Sequence, residues 1–282
     1  MIDSGLAGCT ALVTGGGTGI GHATALRLLE QGAIVTIAGR RAAVLEDSAN
    51  RLRAKVAGAE VRVQPCDVTV EADVERAVQV AAGAGGRLDI AVANAGTGVP
   101  GPILSLTADH WRYACDLNIL GTAFTIKHAG LAMQQHGGSI VAISSGAGFQ
   151  MPKYMATYGT TKAGLEMLVR CAAIELAPFA IRVNTIRPGF IPTEGALLGW
   201  TDDEQKVVVG HTPLERRGFP EDIGDAVLYF CSKQAAWVTG QTLSVDGGLD
   251  LPRGEDFEDL CRRMYGDELM DRVTGAGERG TS

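Results

Sequence analysis

The chain has 282 residues, 46% of them hydrophobic, with 38 glycines and a formal net charge of −7. That length suits one α/β domain of ordinary size with appendages, and the acidic balance, with no dense Lys/Arg patch, argues against nucleic acid as a partner. No stretch approaches 18 apolar residues and no leader-like N-terminus is evident, so the chain is expected to be cytoplasmic, without a membrane partner.

The first strand is expected at 10–14, an apolar, β-branched run that leads into Gly15-Gly16-Gly17-Thr18-Gly19-Ile20-Gly21 and then a helix over 20–31. Strand, glycine turn and helix N-terminus together make a phosphate site, because glycines admit a pyrophosphate close to the backbone and free N–H groups point at it. The spacing is Gly-x-x-x-Gly-x-Gly, wider than the GxGxxG fingerprint. Further strands are expected at 34–38, 61–64, 89–93, 139–143, 181–186 and 241–245. Helical patterns lie between them at 41–56, 71–83, 107–115, 119–136, 157–178 and 221–231. Such alternation predicts an α/β, doubly wound, Rossmann-like fold: a single parallel sheet of about seven strands with helices on both faces. Ligands then bind beyond the carboxyl ends of the strands, where the glycine turn, Asn94, Ser145 and Pro188-Gly189 all fall.

Tyr158 and Lys162 are four apart on a predicted helix and therefore share a face. A lysine charge there would favour the phenolate and draw the tyrosine pKa down from about 10, giving a general acid/base at cellular pH. Ser145 would hold a carbonyl oxygen. Tyr154 is one turn away from Tyr158 but two from Lys162, and Ser144 lies at the wrong spacing; both are treated as decoys. The pair alone also suits a solvated helix face.

Together these stretches resemble the short-chain dehydrogenase/reductase family from about residue 6 to 250. Thr14, Gly15, Gly19 and Gly21 match its cofactor motif; Ala93-Asn94-Ala95-Gly96 matches its AsnAsnAlaGly element, with Ala93 replacing the first Asn. Ser145, Tyr158 and Lys162 match its catalytic triad, and Asn118 falls where the family keeps an asparagine that kinks a helix and supports a proton relay. The segment Arg187-Pro188-Gly189-Phe190-Ile191-Pro192-Thr193 matches the loop that closes over the nicotinamide, and Asp67-Val68 the adenine-contacting pair. The last strand is matched by Thr239-Gly240-Gln241 with Val245-Asp246-Gly247-Gly248. The resemblance implies a dinucleotide held by Thr14, Gly15, Gly17, Thr18, Gly19, Ile20, Gly21, Asn94, Ala95, Gly96, Tyr158, Lys162, Pro188, Gly189, Ile191 and Thr193.

At the end of the second strand, Gly39 replaces the acid that would bind an NAD ribose, and Arg40 and Arg41 can receive a 2′-phosphate. NADP(H) is therefore favoured and NAD(H) stays open: Thr18 stands where many NADP-using relatives carry a basic residue, and the arginines can also simply begin the next helix. The expected activity is interconversion of a carbonyl and a secondary alcohol, with Tyr158 as general acid/base, Ser145 orienting oxygen, Lys162 tuning the phenol and binding the nicotinamide ribose, and Asn118 linking Lys162 through water to solvent. Reduction of an activated C=C bond is the alternative within enzymes, and a catalytically silent nucleotide-binding homologue the alternative outside them.

Segments 97–102, 146–155 and 191–213 are expected to line the substrate pocket with Val99, Phe149, Met151, Pro152, Met155, Leu197, Leu198 and Trp200. That set suits an acyl, terpenoid or steroid-like small molecule, although lid residues of this kind also pack on their own protein. Lys153 can meet an acidic substrate group or stay solvated. The six cysteines (Cys9, Cys66, Cys115, Cys171, Cys231, Cys261) form no CxxC pair, so neither a metal site nor a disulfide framework is expected. Domain boundaries are placed at 1–250 for the dinucleotide-binding catalytic domain and 251–282 for an extension with an amphipathic helix at about 255–272 and a disordered end. The apolar stripe of that helix is expected to dock on the core or a neighbouring subunit. A homo-oligomer, tetramer or dimer, is implied by the resemblance.

Overall fold

The computed structural model describes residues 4–150, 152–194, 201–251 and 255–274. Seven strands form one sheet: β1 (Thr10–Thr14), β2 (Ile34–Gly39), β3 (Val61–Pro65), β4 (Ile90–Ala93), β5 (Gly138–Ile143), β6 (Ile181–Pro188) and β7 (Thr242–Val245). They lie in the order β3-β2-β1-β4-β5-β6-β7 and every pairing is parallel. Between them run α1 (Gly19–Glu30), α2 (Ala42–Lys55), α3 (Glu71–Ala82), α4 (Ala108–Cys115), α5 (Gly121–Met133), α6 (Ala156–Leu176), α7 (Asp202–Gly210) and α8 (Pro220–Cys231). The doubly wound α/β architecture expected from the alternation is the one observed.

Residues alternate across each strand, and two cores result. Ala11 and Val13 of β1 face a cluster with Leu28 of α1, Leu45 of α2 and Phe230 of α8. Leu12, between them, faces Val74 of α3, Ile126 of α5 and Leu165 of α6. Both faces of the parallel sheet are therefore covered, which explains strands that read as nearly continuous apolar runs.

Three local features depart from the sequence reading. The helix expected at 119–136 begins later: residues Asp116–Leu120 form a π turn joining α4 to α5 in one bent rod. Helix α7 was not anticipated, although its capping box is explicit, with Thr201 Oγ1 accepting from the Glu204 N–H and Glu204 Oε2 from the Thr201 N–H.

The third lies in the extension. The chain divides into two compact units, Met1–Asp250 and Leu251–Ser282. In the second, the single helix expected at 255–272 is instead two, α9 (Glu258–Tyr265) and α10 (Asp267–Thr274). Gly266, at φ 85°, ends the first, because a left-handed residue stops helical hydrogen bonding. Arg262 ties the pair together, donating to Glu258 and Asp271, each at 2.7 Å. The expected disordered end, 275–282, lies outside the described residues.

Candidate active site

Ser145 lies two residues beyond the end of β5, in an extended conformation, and caps a short turn by accepting from the Ala147 N–H at 3.2 Å. Tyr158 and Lys162 occupy the first turns of α6 on its sheet-facing side. The Ser145 hydroxyl neighbours the Tyr158 phenol and favours its ionised form. Lys162 is 3% exposed; its Nζ donates to the Ile143 carbonyl at 2.7 Å and stands 5.6 Å from the centroid of the Tyr158 ring. The three residues named from the spacing thus meet in space.

Their electrostatics differ from the expectation. Burial pushes the Lys162 ammonium down to about 8, because desolvation penalises its charge. Burial also pushes the Tyr158 phenol up from its ordinary value, with the Ser145 hydrogen bond opposing the rise. Desolvation of the phenol outweighs the Ser145 hydrogen bond and no lowering by Lys162 contributes, so the predicted effect of Lys162 is not found in this arrangement.

Asn118 is fully buried in the π turn. Its Oδ1 accepts from the Thr97 N–H at 3.1 Å, and its Nδ2 donates to the Thr97 carbonyl at 2.7 Å and to Thr161 Oγ1 at 2.9 Å. Gly96 lies between Asn118 and Lys162: a Cβ there would fall 2.7 Å from Asn118 Oδ1 and 3.0 Å from Lys162 Nζ. Asn118 and Lys162 therefore flank one glycine without bonding through their side chains.

The glycine turn sits at the neighbouring strand ends. Thr14 Oγ1 accepts from the N–H groups of Asn94 (3.0 Å) and Ala95 (3.2 Å). Asn94 Nδ2 returns bonds to the carbonyls of Thr14 (2.9 Å) and Gly15 (3.3 Å), locking the ends of β1 and β4 together. Gly15 and Gly19 take positive φ, 66° and 51°. Thr18, the N-cap of α1, makes no side-chain cap, and its helix carries no acid in the first turn, so the Gly19–Gly21 end is left suited to an anion. A Cβ at Gly19 would come within 2.8 Å of Thr193, which brings the loop after Pro188 and Gly189 over the turn; Ile191 of that loop is buried.

Beyond the carboxyl ends of β2 and β3, a cavity of about 540 Å³ is lined by Arg40, Gln64, Pro65, Cys66, Asp67, Asp73 and Arg76. Arg40 belongs to it, whereas Arg41 is the N-cap residue of α2. Asp67 Oδ1 is held by Thr69 through its N–H (3.0 Å) and hydroxyl (2.8 Å), and Val68 is buried. Arg76 was missed by the sequence reading, which followed strand ends and took no cations from α3.

The chain as a whole is similar to known proteins. A family model described as enoyl-(acyl carrier protein) reductase matches residues 15–250. The chain belongs to the short-chain dehydrogenase/reductase family. It is 36% identical over 245 residues to oxidoreductase asL5 of Sarocladium schorii, covering 86% of this chain and 96% of that one. The structure of a short-chain type dehydrogenase/reductase from Mycobacterium ulcerans superposes with a TM-score of 0.83 at 37% identity, covering 98% of this chain and 99% of the other. That of a 7α-hydroxysteroid dehydrogenase complexed with NADH and 7-oxo glycochenodeoxycholic acid gives 0.82 at 33% identity, covering 86% and 94%. Membership makes the chain an oxidoreductase of the short-chain dehydrogenase/reductase type.

Around this family core, the decoys have structural roles. Ser144 is buried and donates to Glu166 Oε1 at 2.8 Å; Glu166 in turn receives two bonds from Arg187, at 2.9 and 2.6 Å. Glu166 was missed because one acid on a long helix carries no spacing signal. Tyr154 is 52% exposed at φ 67°, its carbonyl accepting from the Gly101 N–H at 2.8 Å, and Lys153 lies 4.9 Å from its ring. Of the expected pocket residues, Phe149 is 57% exposed with the Arg187 guanidinium 4.7 Å from its ring; Val99 and Met155 are half-buried, Pro152 exposed. Met151, Leu197, Leu198 and Trp200 lie outside the described residues.

Proposed function

We propose that this protein interconverts a carbonyl and a secondary alcohol on an apolar small molecule, using NADP(H) in preference to NAD(H). The observation that carries the reading is the hydroxyl pair of Ser145 and Tyr158 set beside a buried lysine, Lys162, at the strand ends next to the glycine turn. A bound nicotinamide supplies or accepts the hydride at carbon. Tyr158 gives a proton to the oxygen in reduction and takes it in oxidation. Ser145 holds that oxygen in line, and its hydrogen bond favours the phenolate. Lys162, beside Gly96, is placed to bind the ribose and, once charged, to favour the phenolate. Asn118 holds the Thr97 segment against this group and is read as linking Lys162 through water to solvent.

Cofactor residues follow the same reading. Gly15, Gly17, Thr18, Gly19, Ile20 and Gly21 would cradle the pyrophosphate; Asn94, Ala95 and Gly96 would floor the site, and Asp67 and Val68 would meet adenine. A relative holds NADH, so the preference for NADP(H) here rests on Arg40 and Arg41 beside Gly39. The apolar substrate class is supported by exposed Phe149 and by the steroid ketone in that same relative.

Reduction of a C=C bond is the second reading, favoured by the description of the matched family as an enoyl reductase. The spacing of Tyr158 and Lys162 supports carbonyl chemistry over it. One screen separates the readings: NADP⁺ and NAD⁺ with hydroxysteroids, 3-hydroxyacyl thioesters, terpenoid alcohols and sugars, and NADPH with the matching ketones and enoyl thioesters. Turnover of an apolar alcohol with NADP⁺ supports the proposal; turnover of enoyl thioesters alone supports the second reading. Cofactor binding without any turnover points to a silent homologue.

Exposed Leu131 on α5 and Met167 and Ile174 on α6 support a homo-oligomer built on these two helices. A cytoplasmic location fits six free cysteines. Among the described residues, no helix is long and apolar enough to cross a membrane.

A further inference from the structure

The segment Gly96–Val99 runs along α6 in matched register. An extended chain advances about 3.3 Å per residue and a helix about 1.5 Å. Two extended residues therefore span roughly what four helical residues span, ~6.6 against ~6 Å. Gly96 accordingly meets Lys162, and Gly98 meets Tyr158. A Cβ on Gly98 would lie 2.4 Å from Tyr158 Cβ and 2.9 Å from Cγ and Cδ2. Gly98 does not occupy the left-handed region, so the requirement for glycine there is steric.

The intervening residues are pinned by their backbones. Thr97 is held on both sides of its peptide by Asn118, at 3.1 and 2.7 Å. Val99 is held in the same manner by Thr157, whose hydroxyl donates to the Val99 carbonyl at 2.9 Å and accepts from its N–H at 3.4 Å. Thr157 is fully buried and precedes Tyr158 on the helix. Among the described residues, its hydroxyl makes the direct hydrogen bonds between the helix carrying the phenol and this segment, while Asn118 bridges Thr97 to Thr161 of the same helix.

We propose that Thr157 and Gly98 are positioning residues for Tyr158: the buried hydroxyl draws the segment down, and the bare glycine lets it close on the tyrosine and hold the phenol toward Ser145. This rests on reading Tyr158 as the proton-transfer group. Neither residue touches the reacting atoms. Both act on where the phenol sits, and a displacement near 1 Å can reduce turnover on the order of 10²-fold.

The test needs no substrate. The full chain, labelled with ¹³Cζ-tyrosine, is titrated by NMR, with Tyr158 assigned from Tyr158→Phe. Wild-type Tyr158 should titrate above the exposed tyrosines. In Thr157→Val and in Gly98→Ala its resonance should move and its midpoint fall toward about 10, while the other four tyrosines stay unchanged and NADPH affinity, read by cofactor fluorescence, stays within two-fold. Thr157→Ser, which keeps the hydroxyl, should restore the wild-type curve. The two substitutions enter from different elements, so misfolding of one leaves the other decisive. A Tyr158 curve unchanged in a folded variant overturns the proposal, as does an equal shift of all tyrosines. Turnover by Tyr158→Phe in the alcohol screen would instead overturn the reading of Tyr158, leaving the titration result intact.

Discussion

Lys162 Nζ is 2.7 Å from the carbonyl oxygen of Ile143, the residue two before Ser145. That bond fixes the lysine beneath the end of β5 without a carboxylate to balance its charge, and burial brings its pKa down to about 8. The folded pKa is below the unfolded value of about 10.4, so the unfolded chain binds more protons between the two. Stability from this group therefore rises with pH from about 8 to 10.4, by up to about 1.4 kcal/mol per pH unit. Urea denaturation of the cofactor-free protein at pH 7.5 and 9.5 should show wild type gaining on Lys162→Met across that window. A constant difference between the two proteins would show that Lys162 is not desolvated.

Glu166 and Arg187 form a two-pronged pair with side chains 8% and 14% exposed, joined by Ser144 and, at 3.9 Å, by Asp250. Removing one partner leaves the other charge buried, so Arg187→Met should destabilise by roughly 3–5 kcal/mol. Adding Glu166→Leu to it should recover much of the loss, as an apolar pair replaces the ions. Chemical denaturation of the three variants measures both numbers.

Arg40 lines the 540 Å³ cavity and Arg41 begins α2. If Arg40 receives the 2′-phosphate, Arg40→Ala should lower kcat/KM for NADPH by about 10- to 150-fold, the worth of one charge-assisted bond of roughly 1.5–3 kcal/mol. The value for NADH should barely change, and Arg41→Ala should have the smaller effect. Equal losses with both cofactors would remove Arg40 from phosphate recognition.

Ile174 on α6 is 78% exposed and Met167, two turns earlier, 54%. An oligomer built on this face should lose mass in light scattering when both are replaced by glutamate, with no loss of far-UV helicity. An unchanged mass would move the interface elsewhere.

Much of the fold was legible because most strands are apolar or β-branched runs, and Gly15, Gly39, Pro65 and Pro188-Gly189 mark the ends of four of them. The triad was legible because Tyr158 and Lys162 carry their geometry in a fixed helical spacing. The π turn at Asp116–Leu120 was legible only as the kink that the resemblance implies at Asn118, because the residues of the turn carry no motif of their own. The raised Tyr158 pKa was hidden too: spacing shows which charge is near, and not how deeply the phenol is buried, which is what raises it. Thr157 has no motif at all. Its role appears only once the segment after β4 is laid on the helix. Helix α7 could have been read from Thr201 and Glu204, an S/T-x-x-E pattern followed by three valines.

The central claim is that Tyr158 transfers the proton while hydride moves at carbon. Wild type and Tyr158→Phe are compared on the alcohol that the screen identifies, with NADPH affinity measured in parallel. The account predicts a loss of kcat of at least about 10²-fold in the variant, with cofactor affinity retained. Turnover close to wild type by Tyr158→Phe would contradict it.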